Sequence, residues 1–284
     1  MARQAALDAS LRHAAAAHAG QDVDLAGVSA VILAGGLGTR LRSVVADRPK
    51  VLAEVDGVPF VFHLLRQLAA AGVKHVVLAT GHRGDQVAGV VGSSYGPMRV
   101  DYSREPAPAG TGGALRRALP LLRSAAVFVL NGDSYCELDL AHLWLWHHQR
   151  PAHGTLSLTR VRDARRFGTV ATGDYGQVLR FVEKSPVRAA GTVNAGVYVL
   201  RRSLIAQIPA GIPFSLESEL LPRWLATGIY GYARTARFID IGTPESLARA
   251  KGSFRAPTAR AHATTPHRPT RRAAASLNHT AEVA

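Results

Sequence analysis

Short aliphatic runs alternate with amphipathic stretches along most of the chain. Residues 30–33, 74–79 and 127–130 are nearly continuous apolar runs, the pattern of strands covered on both faces. Residues 99–102 add a shorter strand. Between these runs, 59–71 and 112–122 carry apolar positions at helical spacing, and 87–91 predicts a short helix. This alternation predicts βαβ units and a mainly parallel sheet. After Asp139 the pattern changes. A helix over 142–149 precedes strand-like segments at 154–161, 168–171, 178–183 and 191–200, with turns at Gly173-Asp174 and Pro186. So many short strands predict a sheet that becomes mixed. Ser215 can cap a helix over 216–221, which Pro222 should break or kink.

The two ends read differently. Residues 1–27 are alanine-rich with weak helical character, and 255–284 are rich in Ala, Thr, Arg, His and Pro without hydrophobic periodicity. The expected organisation is an N-terminal extension over 1–27, an α/β domain over 28–254 and a disordered basic tail over 255–284. No run approaches the roughly 18 apolar residues of a membrane span, and the alanine-rich start lacks the apolar segment of a secretory signal. The single cysteine, Cys136, excludes an internal disulfide. The expectation is a soluble cytoplasmic protein without a membrane partner.

A net charge of +14 over 284 residues raises the question of nucleic acid. The arginines are scattered and not interleaved with aromatic residues, so no nucleic-acid partner is expected. A positive field equally suits small polyanionic substrates. Only four of the 34 basic residues are lysines, and two of them, Lys50 and Lys184, fall in motif positions. A lysine in so arginine-biased a chain suggests a place where a compact ammonium is wanted.

Residues 31–41 read Val-Ile-Leu-Ala-Gly-Gly-Leu-Gly-Thr-Arg-Leu, with helical spacing resuming afterwards. Glycines at the end of a strand leave backbone N–H groups uncovered, and such groups before a helix form a concave anion site. Leu33, Ala34, Gly35, Gly36, Gly38 and Thr39 are therefore candidates to hold a phosphate-rich ligand, with Arg40 adding a charged fork. Two familiar glycine motifs fail here. No Gly-Lys follows for a P-loop, and the third glycine of a dinucleotide fingerprint is replaced by Leu41.

Asn131-Gly132-Asp133 ends an apolar strand, and ligands of parallel sheets bind at strand carboxyl ends. A carboxylate facing phosphates needs a divalent cation between them, and Mg²⁺ suits that role. Asp240 ends another apolar run, so the two aspartates could share one metal; an ordinary polar turn explains either alone. In Glu183-Lys184 the lysine could neutralise a sugar phosphate and the glutamate accept from hydroxyls, or the two form an exposed ion pair. Asn131, Gly168, Asn194 and Gly196 complete the sugar-side candidates. Gly110, Thr111 and Gly112 open a helix, where backbone amides could read a nucleobase or merely form a loop. Trp144, Trp146, His147 and His148 lack zinc-ligand spacing and read as structural. Cys136 has no evident histidine partner, so nucleophilic catalysis is not expected.

The glycine loop, Pro49-Lys50, and the two strand-end aspartates, in this order, resemble the sugar-1-phosphate nucleotidyltransferases over about residues 29–250. The resemblance implies a Rossmann-like α/β fold with one mixed, mainly parallel sheet and helices on both faces. It implies that Arg40, Lys50 and Asp133 are catalytic and that Asp133 and Asp240 hold Mg²⁺. It also puts the nucleoside triphosphate on the glycine loop, the base at Gly110-Thr111-Gly112, and the sugar phosphate at Glu183 and Lys184. Val58-Pro59-Phe60, Leu130-Asn131-Gly132-Asp133-Ser134, Phe214-Ser215-Leu216-Glu217 and Phe238-Ile239-Asp240-Ile241-Gly242 resemble the D-glycero-D-manno-heptose 1-phosphate guanylyltransferases in particular. Pro108-Ala109 departs from the family's usual Pro-Leu. The implied activity is transfer of a nucleoside monophosphate, GTP favoured, to a sugar 1-phosphate, heptose favoured. Glucose or mannose 1-phosphate with another triphosphate, or a non-catalytic nucleotide-sugar binder, are the alternatives. The oligomeric state stays open, a homodimer among the options.

Overall fold

The computed structural model describes residues 23–36, 38–41, 43–45, 47–182 and 188–254. Their centre is a mixed sheet whose parallel core is built from the longest apolar runs. Strands β1 (Ser29–Ala34) and β4 (His75–Thr80) are buried at every position, and β7 (Ala126–Asn131) at all but its last. Strand β6 (Met98–Arg104) continues the parallel set, giving the order β7-β1-β4-β6.

Period-two alternation then assigns each residue to a layer. Ala30, Ile32, Phe128 and Leu130 face one core with helix α1 (Phe60–Ala70), whose Phe60, Leu64 and Leu68 are fully buried. Val31, Leu33, Val127 and Val129 face the opposite core. There they meet Leu115 and Ala118, on the stretch 110–118, and Leu204 and Leu221. Burial on both sides explains why these strands carry no polar face.

Three more helices frame the sheet: α2 (Gly84–Val91), α3 (Gly110–Ala118) and α4 (Leu140–His148). Beyond α4 the sheet becomes mixed, as the strand-rich second half predicts, with Ile229–Tyr232 parallel to the strand Gly154–Val161. Strand β12 (Gly191–Arg201) pairs antiparallel with β7 and with β9 (Gly154–Val161), and β10 (Thr169–Thr172) and β11 (Val178–Val182) extend that edge. The β12–β9 register slips between Asn194 and Tyr198. Gly196 lies inside this bulge with φ +76°, a conformation that favours glycine.

Several elements differ from expectation. The stretch 216–221 is a π-helical turn, Leu216–Leu220, running into the short helix Leu221–Trp224. Pro222 does not break it, because proline in a first helical turn has no intrahelical N–H partner to lose. Asp56-Gly57, both with positive φ, join two short strands, Glu54–Val55 and Val58–Pro59, in a two-residue hairpin. Strand β8 (Ser134–Cys136) pairs antiparallel with Phe238–Asp240, setting Asp240 opposite Ser134. The aromatic and histidine cluster of α4 is structural, as expected: Leu143 and His147 are buried, and Arg150 stacks 3.3 Å from the Trp146 ring centroid. Among the described residues no helix is long and apolar enough to cross a membrane.

Candidate active site

Three parallel strands deliver their carboxyl ends to one cavity of about 510 Å³. Strand β1 runs into the glycine loop, β6 into Glu105 and β7 into Asn131, Gly132 and Asp133. This is the sheet edge at which α/β folds hold ligands. Leu33, Ala34, Gly35, Gly36, Gly38, Thr39 and Arg40 line it, so the structure brings every described member of the glycine motif to the cavity. The helix expected after the loop is instead a single 3₁₀ turn, Thr39–Leu41. Positive charge here therefore comes from side chains and not from a helix dipole.

Lys50 follows Pro49 on a 3₁₀ turn, Lys50–Leu52, and reaches across 83 positions to Asp133. Its ammonium lies 2.5 Å from Asp133 Oδ2, with only 11% of the lysine side chain exposed. Burial pushes the Asp133 carboxyl up. The charge and hydrogen bond of Lys50, the Ser134 hydroxyl and the Arg40 charge more than offset this, holding it below the usual carboxylate range. Asp240 is paired in the same way: Arg166 Nη2 donates to its Oδ1 at 2.6 Å, while Gly242 N–H donates to Oδ2. Ile241 N–H donates to the Asp133 carbonyl at 2.9 Å, which ties the two aspartate segments together.

The two carboxylates thus share one cavity on adjoining segments, each matched by a cationic side chain. Among the described residues no three His, Cys, Asp or Glu side chains group as a metal site. Mg²⁺ binds through one or two carboxylates plus phosphate oxygens and water, so Asp133 and Asp240 fit it as a pair that a bound triphosphate would complete.

Of the residues expected at the base, Gly110 and Thr111 line the cavity. Gly110 has φ +70°, and a Cβ there would run into the Phe214 carbonyl oxygen, so no other residue fits. Gly112 does not line the cavity. It is buried on α3, where its N–H donates to the Phe214 carbonyl at 2.8 Å, and its smallness serves packing against Leu220. Of the residues expected at the sugar, Asn131, Gly168, Asn194 and Gly196 all line the cavity, the last two through the bulge in β12. Glu183 and Lys184 lie outside the described residues.

Sequence reasoning gives no role to four further residues of this site. Glu105 accepts from Ala109 N–H at 3.1 Å, and its other oxygen would meet a side chain at Gly35. Burial pushes its carboxyl up, opposed by that hydrogen bond and by the Arg117 charge. Arg166 and Glu217 gain their places through contacts distant in sequence, and Tyr198 through Asn194 across the β12 bulge and through Glu217. Only Glu105 carries a local signal, standing just beyond a parallel strand and before a Pro-rich loop. A Ser29–His75–Asp101 chain, with hydrogen bonds of 3.0 and 3.1 Å, also imitates a catalytic triad. Ser29 is buried at the opposite end of the sheet and accepts from Arg123 N–H, so the chain is structural.

The chain matches the nucleotidyl transferase family over residues 29–255. It is 40% identical over 233 residues to a mannose-1-phosphate guanylyltransferase of Mycobacterium tuberculosis, covering 78% of this chain but only 63% of that protein's length. It is 35% identical to the D-glycero-alpha-D-manno-heptose 1-phosphate guanylyltransferase of Aneurinibacillus thermoaerophilus, over 79% of this chain and 97% of that one. The crystal structure of HddC from Yersinia pseudotuberculosis superposes with a TM-score of 0.71 at 33% identity, over 80% of this chain and all of that one. A second structure of that protein is a complex with GMP-PN. With the glycine loop and both aspartates gathered round one cavity, and a match running from residue 29 to 255, the chain belongs to the nucleotidyl transferase family.

Proposed function

We propose that the chain transfers a guanylyl group from GTP to a sugar 1-phosphate, releasing pyrophosphate and forming a GDP-sugar. The observation that carries this reading is one cavity lined by the glycine loop, by Asn131, Asn194 and Gly196, and by the Lys50–Asp133 pair. An oxygen of the sugar 1-phosphate attacks the α-phosphorus in line. A new P–O bond forms there, the bond to the bridging α–β oxygen breaks, and pyrophosphate leaves with that electron pair. No side chain need form a covalent intermediate, so catalysis is positioning and charge neutralisation. Arg40 and Lys50 face the triphosphate, and Arg40 serves the departing pyrophosphate. Asp133 and Asp240 fit a divalent cation, which when bound supplies charge neutralisation at the phosphates. Glu183 and Lys184 keep the sugar-phosphate role expected of them from sequence.

Glu105 supports guanine as the base. Guanine presents N1–H and N2–H as neighbouring donors, and a carboxylate accepts from both. Adenine offers an acceptor at the equivalent ring position and would leave the half-buried carboxylate unmatched. Heptose 1-phosphate is the favoured acceptor, because the heptose enzymes are matched along nearly their whole length. Mannose 1-phosphate is the second candidate. Pyrophosphate release measured for four nucleoside triphosphates against heptose, mannose and glucose 1-phosphates tests the reading. GTP with one of the first two sugars should dominate; turnover with every triphosphate alike would refute the base assignment.

A further inference from the structure

Glu217 divides its carboxylate between the two halves of the cavity. Oε2 accepts from the Thr111 hydroxyl at 2.8 Å, on the nucleotide side. Oε1 accepts from Asn131 Nδ2 at 3.1 Å and from the Tyr198 hydroxyl at 3.3 Å, on the sugar side. The network runs further along the sugar wall: Asn194 Nδ2 donates to the Tyr198 hydroxyl at 2.6 Å, and Asn194 Oδ1 accepts from Gly196 N–H at 3.1 Å. Thr111 Oγ1 in turn accepts from Leu216 N–H at 2.7 Å, so the loop and the Glu217 segment hold each other twice.

The segment is built to keep this carboxylate still. Ser215 caps the π-helical turn by accepting from Ser218 N–H, while Glu219 reaches back to Ser215 N–H at 2.7 Å. The N–H groups of Gly112 and Gly113 both point to the Phe214 carbonyl, fastening the turn to α3. π-helical turns within helices recur at functional sites.

An ionised carboxylate accepts and cannot donate, so Asn131 must present its NH₂ group to Glu217. Its Oδ1 is then fixed as an acceptor, and that atom is buried with no hydrogen-bond partner among the described residues. Tyr198 is fully buried, and burial together with the Glu217 charge pushes its hydroxyl well above the usual tyrosine range. It therefore stays protonated and donates.

We infer that Glu217 is a positioning residue that couples the two substrate pockets, ordering the Thr111 loop and the Asn131–Tyr198 wall together so that each substrate raises affinity for the other. This rests on the two-substrate reading above. By linkage the coupling factor is the same in both directions.

The test is calorimetric titration of the full chain, with Mg²⁺, using a GTP analogue carrying a methylene between the α- and β-phosphorus. Titrations are run with and without saturating mannose 1-phosphate, and in the reverse order. The wild type should show a coupling of about five- to fifty-fold. Glu217→Ala should bring it within about twofold of none, and Glu217→Gln, which keeps one acceptor for Asn131 and Tyr198, should restore part of it. Thr111→Val removes both hydroxyl bonds, the one to Glu217 and the one from Leu216 N–H, but leaves the carboxylate in place, so it should lower the factor even where Glu217→Ala fails to fold. Coupling that survives these changes, or Glu217→Ala weakening mannose 1-phosphate alone with the factor intact, would overturn the inference. Wild type that binds both ligands independently overturns the coupling and leaves the guanylyltransferase reading standing. Wild type that binds no guanine nucleotide refutes that reading, and the coupling with it.

Discussion

Lys50 and Asp133, 83 positions apart, meet in a 2.5 Å ion pair on the lining of the cavity. A lysine and a carboxylate proposed for phosphate and metal thus compensate one another's charge, and Arg166 and Asp240 repeat the arrangement. Asp133→Asn keeps the shape and a hydrogen-bond acceptor for Lys50 but removes the charge. Turnover should fall by about 10³-fold or more, the scale of losing several kcal/mol of charge stabilisation. The fold should lose only about 1–3 kcal/mol, the cost of a poorly matched partly buried group. Pyrophosphate release and urea unfolding of the same preparation separate the two effects.

Glu105→Gln replaces one acceptor by a donor where guanine also donates. The GTP kcat/KM should drop by about 10²-fold, and the advantage of GTP over ATP should shrink by a similar factor. Competition between the two triphosphates in one reaction reads this directly. An unchanged ratio would remove Glu105 from base selection.

Gly110→Ala forces a side chain into a positive-φ position against the Phe214 carbonyl. The expected cost is about 2–3 kcal/mol of stability, with a matching loss of nucleotide affinity as the Thr111 loop shifts. Thermal melts with and without GTP check both. An alanine tolerated in melting temperature and affinity would show that the loop rearranges at little cost.

His147 supplies a pH dependence remote from the site. Burial, helped by the neighbouring His148, Arg201 and His153 charges, brings it down to about 3. An unfolded histidine takes up its proton near about 6.5. Between these values the unfolded chain binds the extra proton, so stability is fully present above about 6.5 and is lost as pH falls toward 3. Urea unfolding across that window should show a slope that His147→Asn flattens, the variant keeping a nitrogen for its Thr155 partner. Equal slopes in both proteins would place the protonation elsewhere.

The parallel core is legible in sequence because β1, β4 and β7 are buried on both faces and so read as unbroken apolar runs. The glycine loop and Asp133 are legible for a different reason, since each stands at the carboxyl end of a parallel strand where ligands bind; Asp240 ends an apolar run, and Lys50 is one of only four lysines. Glu217 is not legible. It meets Thr111 across 106 positions and Asn131 across 86, and no local pattern carries such pairings. Gly112, expected at the base, also has a packing reason to be glycine that its motif does not reveal, its place against Leu220. The helix expected after the glycine loop is a 3₁₀ turn, since spacing reports the apolar face of Leu41 and not how many turns follow it.

The central claim is that one cavity joins GTP to a sugar 1-phosphate under the charge of Asp133, and tracing label from the α-phosphorus of GTP tests it most directly. With Mg²⁺ and heptose or mannose 1-phosphate, wild-type protein should move the label into a GDP-sugar, releasing one pyrophosphate for each molecule formed, and Asp133→Asn should leave the label in GTP. Label that appears as GMP, or pyrophosphate released equally without any sugar phosphate, would contradict the account.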